Sequence, residues 1–166
     1  MSKVIMIAAV AKNYIIGNKG QIPWYISADF QHFKEKTLGY PCVMGDVTFE
    51  SLPNGSRPLP GRENVILTLD KDYKAEGATI FHDYEKALEY CKQKYDKVYI
   101  TGGATIYRLG MQYADELEIT RVDKDYEGDA SFPEIKEDEW EEVSREEHFD
   151  EKENVKFSFV TYRRKN

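Results

Sequence analysis

The stretch IPWYISADFQHF, residues 22–33, places one carboxylate, Asp29, among aromatic and aliphatic side chains on what reads as the first turn of a helix capped by Ser27. At about 100° per residue, Phe30, Phe33 and Thr37 form one stripe, and Asp29 lies about 40° from Phe33, on the border of the apolar face. An acid there has two uses. It can complement the helix macrodipole from the first turn. Desolvated by its neighbours, it can instead pair with one set of matched donors and take part in proton transfer. Spacing alone leaves both open. A second pattern is Gly102–Gly103, where the strand-like KVYITG gives way to the helical ATIY. Bare backbone at such a turn can approach a phosphate, although this is not the G-x-G-x-x-G fingerprint. His32, His82 and His148 lie far apart, form no ligand motif and read as surface residues. Cys42 and Cys91 also lack metal-ligand spacing and read as buried, reduced thiols, so no disulfide is expected.

The elements that must position these groups are legible as hydrophobic periodicity. Strand signals fall at residues 3–11, 40–45, 64–68, 78–81, 97–102, 117–123, 140–149 and 155–163. Helical patterns lie between them in SADFQHFKEKTL, DYEKALEYCKQKY and ATIYRLGMQYA. Strand alternating with helix over the first two thirds predicts a largely parallel sheet covered on both faces. The last two strand signals flank the polar turn DEKEN and predict an antiparallel hairpin at one edge. The expected fold is therefore α/β. It is a single domain over residues 1–166, with a mixed, mainly parallel eight-stranded twisted sheet, a C-terminal antiparallel hairpin and about four flanking helices. The longest irregular pieces, KNYIIGNKGQIPWYI and LPNGSRPLPGRE, are rich in Gly, Pro and Asn, and loops of that length in a compact domain are often functional.

Composition narrows the partners. With 166 residues, 41% of them hydrophobic, the chain suits one core. The net charge of −7 lacks the basic footprint of a nucleic-acid binder, and much of the negative charge sits in EIKEDEWEEVSREEHFDEKE, read as a solvated face. No apolar run approaches the length of a membrane span, and a cytoplasmic monomer is expected.

Seven motifs occur in order: IAAVAKNYIIG, IPWYISADFQHFK, VMG with TFES, RPLPGRENVILT, YITGGATIY, LEITRVDKDYEGDASFP and a terminal FSFVTYRR. Together they closely resemble dihydrofolate reductase over nearly the whole chain. The resemblance implies hydride transfer from NADPH to C6 of 7,8-dihydrofolate with protonation of N5, supplying tetrahydrofolate to one-carbon and thymidylate metabolism. It also implies antifolate binding and no metal. Asp29 then matches the acid that pairs with the pterin N3 and exocyclic amine, Trp24 the indole that holds a water beside it, and Thr120 the hydroxyl that bonds it. Phe30 and Phe33 would flank the pterin and p-aminobenzoyl rings, with Ile7, Ala9, Leu52, Leu59 and Thr101 completing the walls. Arg62 would grip the glutamate α-carboxylate with its planar guanidinium.

The resemblance assigns the cofactor side to Ala9, Ile16, Gly17 and Ile22, to Gly45, Asp46, Val47 and Thr48, to Thr68 and Leu69, and to the run Gly102, Gly103, Ala104, Thr105, Ile106 and Tyr107. It further implies a cis Gly102–Gly103 bond, and a lid over residues 11–26 that bonds to Gly128 and Asp129 when closed. The chain departs from the family where two basic residues usually follow VMG, since Asp46 and Val47 stand there. Thr105 occupies a position sometimes held by arginine, and Leu69 and Asp70 replace polar or basic residues. A carboxylate beside a ribose repels a 2′-phosphate and accepts from a free 2′-hydroxyl. NADPH is the expected cofactor, with Lys71, Arg57 or backbone donors supplying the missing charge, and weak discrimination against NADH is expected with it. Thr101 stands where a larger apolar residue is usual, and with the Phe30/Phe33 pair it predicts altered binding of diaminopyrimidine antifolates. A pyrimidine or pterin reductase of the same fold is the alternative enzyme, disfavoured by Asp29 plus Arg62. A folate- or nucleotide-binding module without turnover is the non-enzymatic one.

Overall fold

The computed structural model describes residues 2–166. Strand β1 (Lys3–Ala11) lies well inside the sheet, and its near-continuous apolar run reflects burial on both faces. The elements that follow are β2 (Ile15–Gly17), α1 (Ser27–Thr37), β3 (Pro41–Gly45), α2 (Asp46–Glu50), β4 (Glu63–Leu67), β5 (Ala78–Phe81) and α3 (Tyr84–Lys94). Next come β6 (Lys97–Gly102), α4 (Ala104–Gly110), a 3-10 turn (Met111–Tyr113), β7 (Glu116–Val122), β8 (Ala130–Ser131), β9 (Trp140–Asp150) and β10 (Val155–Arg164).

Eight strands form one sheet in the order β5-β4-β3-β6-β1-β7-β10-β9. The first six are mutually parallel, and β10 runs antiparallel to both β7 and β9. The mainly parallel, mixed sheet with a C-terminal hairpin is thus as expected, and so are the four α-helices. The hairpin turns through Asn154 at φ 53°, inside the polar DEKEN segment. β9 is an edge strand, and its charged, exposed residues protect that edge from pairing with other chains.

Alternation along the strands separates two cores. Val4, Met6 and Val10 of β1 join Val43, Val65, Val98 and Ile100 beneath α3 and α4, whose Ala87, Leu88, Cys91 and Tyr107 pack on that face. Ile5 and Ile7 point the other way, into a cluster with Cys42, Met44, Ile66, Tyr99 and Phe49 of α2. Ala11, Trp24, Ile26, Val122 and Phe157 extend that second face towards the hairpin. Cys42 and Cys91 are free, and burial pushes each thiol up to about 12. No helix among the described residues is long and apolar enough to cross a membrane.

Three local expectations change. Ser27 is the first residue of α1 rather than its cap. Ile26 takes the cap position; its aliphatic side chain has no acceptor to offer the helix and is instead fully buried in the core. The loop between β1 and α1 contains β2, which pairs antiparallel with β8 as a separate two-stranded sheet. The predicted final helix ends at Gly110 and continues only as the 3-10 turn.

Candidate active site

β1 and β7 lie side by side in parallel, and Ala9 is paired with Thr120. The matched register sends both residues to the same face of the sheet, where α1 delivers Asp29. The Thr120 hydroxyl donates to Asp29 Oδ1 at 2.5 Å across 91 residues of sequence. Burial pushes the Asp29 carboxyl above its ordinary value of 3.8, and the Thr120 bond offsets part of that rise. Among the described residues this is the one hydrogen bond to the side chain, so Oδ2 keeps its acceptor capacity. Trp24 is buried beside the same strands, its ring 4.9 Å from that of Tyr126.

Beyond Asp29, Phe33, Leu52, Leu59 and Ile7 share one apolar cluster and make a wall. Phe30, 44% exposed, stacks obliquely on Tyr25 at 5.1 Å and leaves an aromatic rim open. Arg62 lies over the Phe33 ring at 5.9 Å. Its Nε donates to the Pro60 carbonyl at 2.9 Å and its Nη1 to the Thr37 hydroxyl at 3.1 Å. Two of its five N–H groups are so used, which fixes the fork and leaves the rest free. Thr101 is half-buried, with its hydroxyl donating to the Val43 carbonyl at 3.3 Å.

The carboxyl ends of β3 and β6 form the other half of the crevice. Their register shifts between Val43 and Met44, which brings Met44 opposite Gly102 at the cis Gly102–Gly103 bond. Gly102 has φ +108°, and a Cβ there would lie 3.0 Å from the Tyr107 ring. A Cβ on Gly103 would lie 3.1 Å from Thr48 Oγ1, and one on Gly45 3.2 Å from Ile106. The three glycines let the starts of α2 and α4 approach each other with bare backbone between them. Tyr107 anchors this turn, its hydroxyl donating to the Ile7 carbonyl at 2.7 Å. Ala104 is half-buried in the first turn of α4, whereas Thr105, Val47 and Leu69 present exposed side chains.

The loop over residues 11–26 is docked. Asp129 N–H donates to the Gly17 carbonyl at 3.1 Å, and the Asp129 carboxylate accepts the Lys19 N–H at 3.2 Å. Gly128 passes so close that a Cβ would overlap the Gly17 carbonyl oxygen. Ile16 packs against the core cluster that contains Tyr107, while Ile22 is 48% exposed at the loop's end.

Two features lay outside the sequence reading. Glu118, two residues before Thr120 and on the same face, is buried and accepts from Thr161, with Lys36 of α1 at 4.0 Å. Its signal was there in LEIT, where polar residues alternate with buried Leu117 and Ile119. Two of the three histidines also differ from the expected surface role, whereas His82 is exposed as expected. His32 stacks on Phe159 at 3.8 Å and His148 on Phe157 at 5.4 Å, because α1 and the hairpin meet only in the folded chain. A further cleft of about 300 Å³, edged by Lys12, Arg121, Arg145 and Lys156, opens on the opposite face of β7 and contains none of the site residues.

An α/β sheet with a glycine-lined crevice at its strand ends, adjoining a desolvated acid in an apolar slot, has the architecture of a dinucleotide-dependent reductase. Comparison with known proteins supplies the particular family. The family model described as Dihydrofolate reductase matches residues 3–164. The dihydrofolate reductase of Neisseria gonorrhoeae is 44% identical over 162 residues, 98% of each chain. That of Bacillus subtilis is 35% identical over 98% of this chain and 95% of its own. The solved structure of dihydrofolate reductase from Enterococcus faecalis, complexed with NADP(H) and RAB-propyl, superposes with a TM-score of 0.89 at 34% identity, covering 99% of this chain and 97% of that one. The chain belongs to the dihydrofolate reductase family.

Proposed function

We propose that this chain reduces 7,8-dihydrofolate to 5,6,7,8-tetrahydrofolate with NADPH. The observation that carries the reading is the state of Asp29: a carboxyl raised by burial, given one donor by the protein and left with acceptor capacity facing an aromatic slot. The pterin N3 and exocyclic amine are a matched donor pair for it. Binding them stabilises the ionised acid in a place where water is excluded, which ties recognition to proton affinity. The negative charge then favours a proton on the nearby N5, delivered through water associated with Asp29 and Trp24. Thr120 holds the carboxylate in register, and Phe30, Phe33, Leu52 and Leu59 sandwich the rings. Arg62, stacked on Phe33 with free N–H groups, receives the glutamate α-carboxylate.

The cofactor side fits the same reading. Side chains at Gly45 and Gly103 would crowd Ile106 of α4 and Thr48 of α2, so the bare turn suits a pyrophosphate against backbone N–H groups and Thr48. When bound, NADPH supplies the hydride that is added to C6. The docked loop holding Ile16, Gly17 and Ile22 excludes water from the nicotinamide side, with Gly128 and Asp129 as its latch. Two free buried thiols fit a reducing, cytoplasmic compartment.

The test is oxidation of NADPH in the presence of dihydrofolate by the wild type and by Asp29→Asn. Turnover that collapses in the variant while the fold persists supports the assignment. Wild-type binding of folate without cofactor oxidation would replace it with a binding module.

A further inference from the structure

We propose that the adenosine end of this crevice suits a ribose with a free 2′-hydroxyl, so that the chain binds NADH about as well as NADPH. The inference rests on the reductase reading and concerns the cofactor half of the same site. Asp46 decides it. This residue opens α2 directly after Gly45, at the carboxyl edge of the sheet, and its side chain is held rather than swinging freely. Asp46 Oδ2 accepts the Thr68 hydroxyl at 2.8 Å, and Oδ1 accepts the Val47 N–H at 2.7 Å. The Thr68 oxygen itself accepts the Asp70 N–H at 3.1 Å, which orients its own proton towards Asp46. The carboxylate thus bridges the start of α2 and the residue that follows β4. Of its roughly four lone-pair sites, two are occupied and the others remain for an incoming hydroxyl.

In open α/β sheets ligands lie outside the carboxyl ends of the strands. A carboxylate at the ribose accepts from a 2′-hydroxyl, and an arginine there accommodates a 2′-phosphate. Here the anchored group is the carboxylate, and among the described residues no anchored Lys or Arg answers it. Val47 is 76% exposed and Leu69 96% exposed, both uncharged. Arg57 is turned to Glu50, with Nη1 donating to the Glu50 carbonyl at 2.8 Å and lying 3.6 Å from its carboxylate. The His82 ring is fixed with Nδ1 2.9 Å from the Thr68 carbonyl oxygen. Lys71 has no hydrogen bond or ion pair among the described residues to hold it against this site, and it lies between Asp70 and Asp72 in the sequence. A dianionic 2′-phosphate would meet a fixed negative charge and recover little from its surroundings, whereas a free hydroxyl gains an acceptor.

The experiment is equilibrium titration of the protein with NADH and NADPH, read by intrinsic fluorescence without folate present. AMP and adenosine 2′,5′-bisphosphate serve as probes of the adenosine end alone. In the wild type the two dinucleotide Kd values are expected to agree within about threefold, with AMP binding no more weakly than the bisphosphate. Asp46→Arg is expected to tighten NADPH relative to NADH by about tenfold or more. Asp46→Asn, close in shape and uncharged, should move the ratio the same way by less, and it keeps the test alive if the arginine variant fails to fold. Wild-type binding of NADPH more than about tenfold tighter than NADH would overturn this proposal and leave the reductase reading standing. A ratio unchanged in both variants would also overturn it. Failure to bind either dinucleotide would remove both.

Discussion

Asp29 and Glu63 are both carboxylates approached by hydroxyl groups, and the fold treats them in opposite ways. Glu63 begins β4 at the amino edge of the sheet. It accepts hydrogen bonds from Tyr90 at 2.5 Å, Tyr95 at 2.8 Å, Lys94 at 3.1 Å and Thr79 at 3.0 Å. Burial alone would raise its pKa, but those four donors outweigh burial and bring it down to about 2. Asp29 lies near the other edge with Thr120 as its donor, and burial wins. One carboxylate is saturated by its own chain and clamps α3 and β5 to β4. The other is left short of donors, which is unfavourable for the empty protein and favourable for a ligand that brings them. A bare count of acids in the sequence cannot separate these roles; the number of donors each receives after folding can.

The sharpest way to break the comparison is Asp29→Asn. Activity is expected to fall by about 10²–10⁴-fold, the range for loss of a proton-transfer group. Stability should move the other way. A carboxyl raised above its unfolded value contributes stability below that unfolded value, and the contribution is lost as pH rises through the folded one. Wherever Asp29 is ionised in the folded protein, its poorly solvated charge therefore lowers stability, and the amide removes that penalty. A gain of about 1 kcal/mol corresponds to roughly 2–4 °C in Tm for a domain of this size. Thermal melts of both proteins over a wide pH range should show the gap closing at acid pH and opening as pH rises through the folded-state Asp29 titration. A variant less stable than wild type at pH 7 would end the claim that Asp29 is held in a strained state.

Glu63→Gln should show the mirror image. Its depressed pKa means its contribution is present above the ordinary 4.5 and lost as pH falls towards about 2. The substitution is expected to lower stability at pH 7 by about 2 kcal/mol, because the Lys94 ammonium and the tyrosine hydroxyls lose a charged acceptor. The difference from wild type should shrink in melts below pH 4.5, and kcat/KM for dihydrofolate should stay within about twofold of wild type since no site residue touches Glu63. A large loss of turnover without loss of stability would mean that the two carboxylates are not separate in function.

How far this contrast was readable beforehand depends on sequence distance. The strand over residues 3–11 has the predicted bounds, and the other seven strand signals agree within a residue or so, because apolar runs and turn residues are local. Asp29, Arg62 and Gly102–Gly103 stand out as candidates through motif order. What escaped depends on pairs brought together by folding. Glu63 finds Tyr90, Lys94 and Tyr95 across 27 to 32 residues, and Asp46 finds Thr68 across 22. The sheet of β2 and β8 is three residues against two, too short for alternation to register. The Ile26 cap breaks the polar-cap rule because burial of its side chain outweighs a hydrogen bond that Ser27 would have offered.

The finest test removes single donors. At Asp29, Thr120→Val takes away the hydroxyl that holds the carboxyl down, so its titration midpoint should rise further, whereas Thr120→Ser should restore it. Carboxyl carbon NMR of the free enzyme would follow the midpoint directly, and the loss in kcat/KM should be about tenfold or less, comparable with one hydrogen bond. At Glu63, Tyr90→Phe removes one donor of four, and three remain to hold the carboxylate ionised. The shift there should be the smaller of the two, although the Tyr90 contact is as short as that from Thr120. If both midpoints moved by the same amount, bond length rather than the number of remaining donors would govern these acids. The distinction between a clamp and a binding group would then have to rest on burial alone.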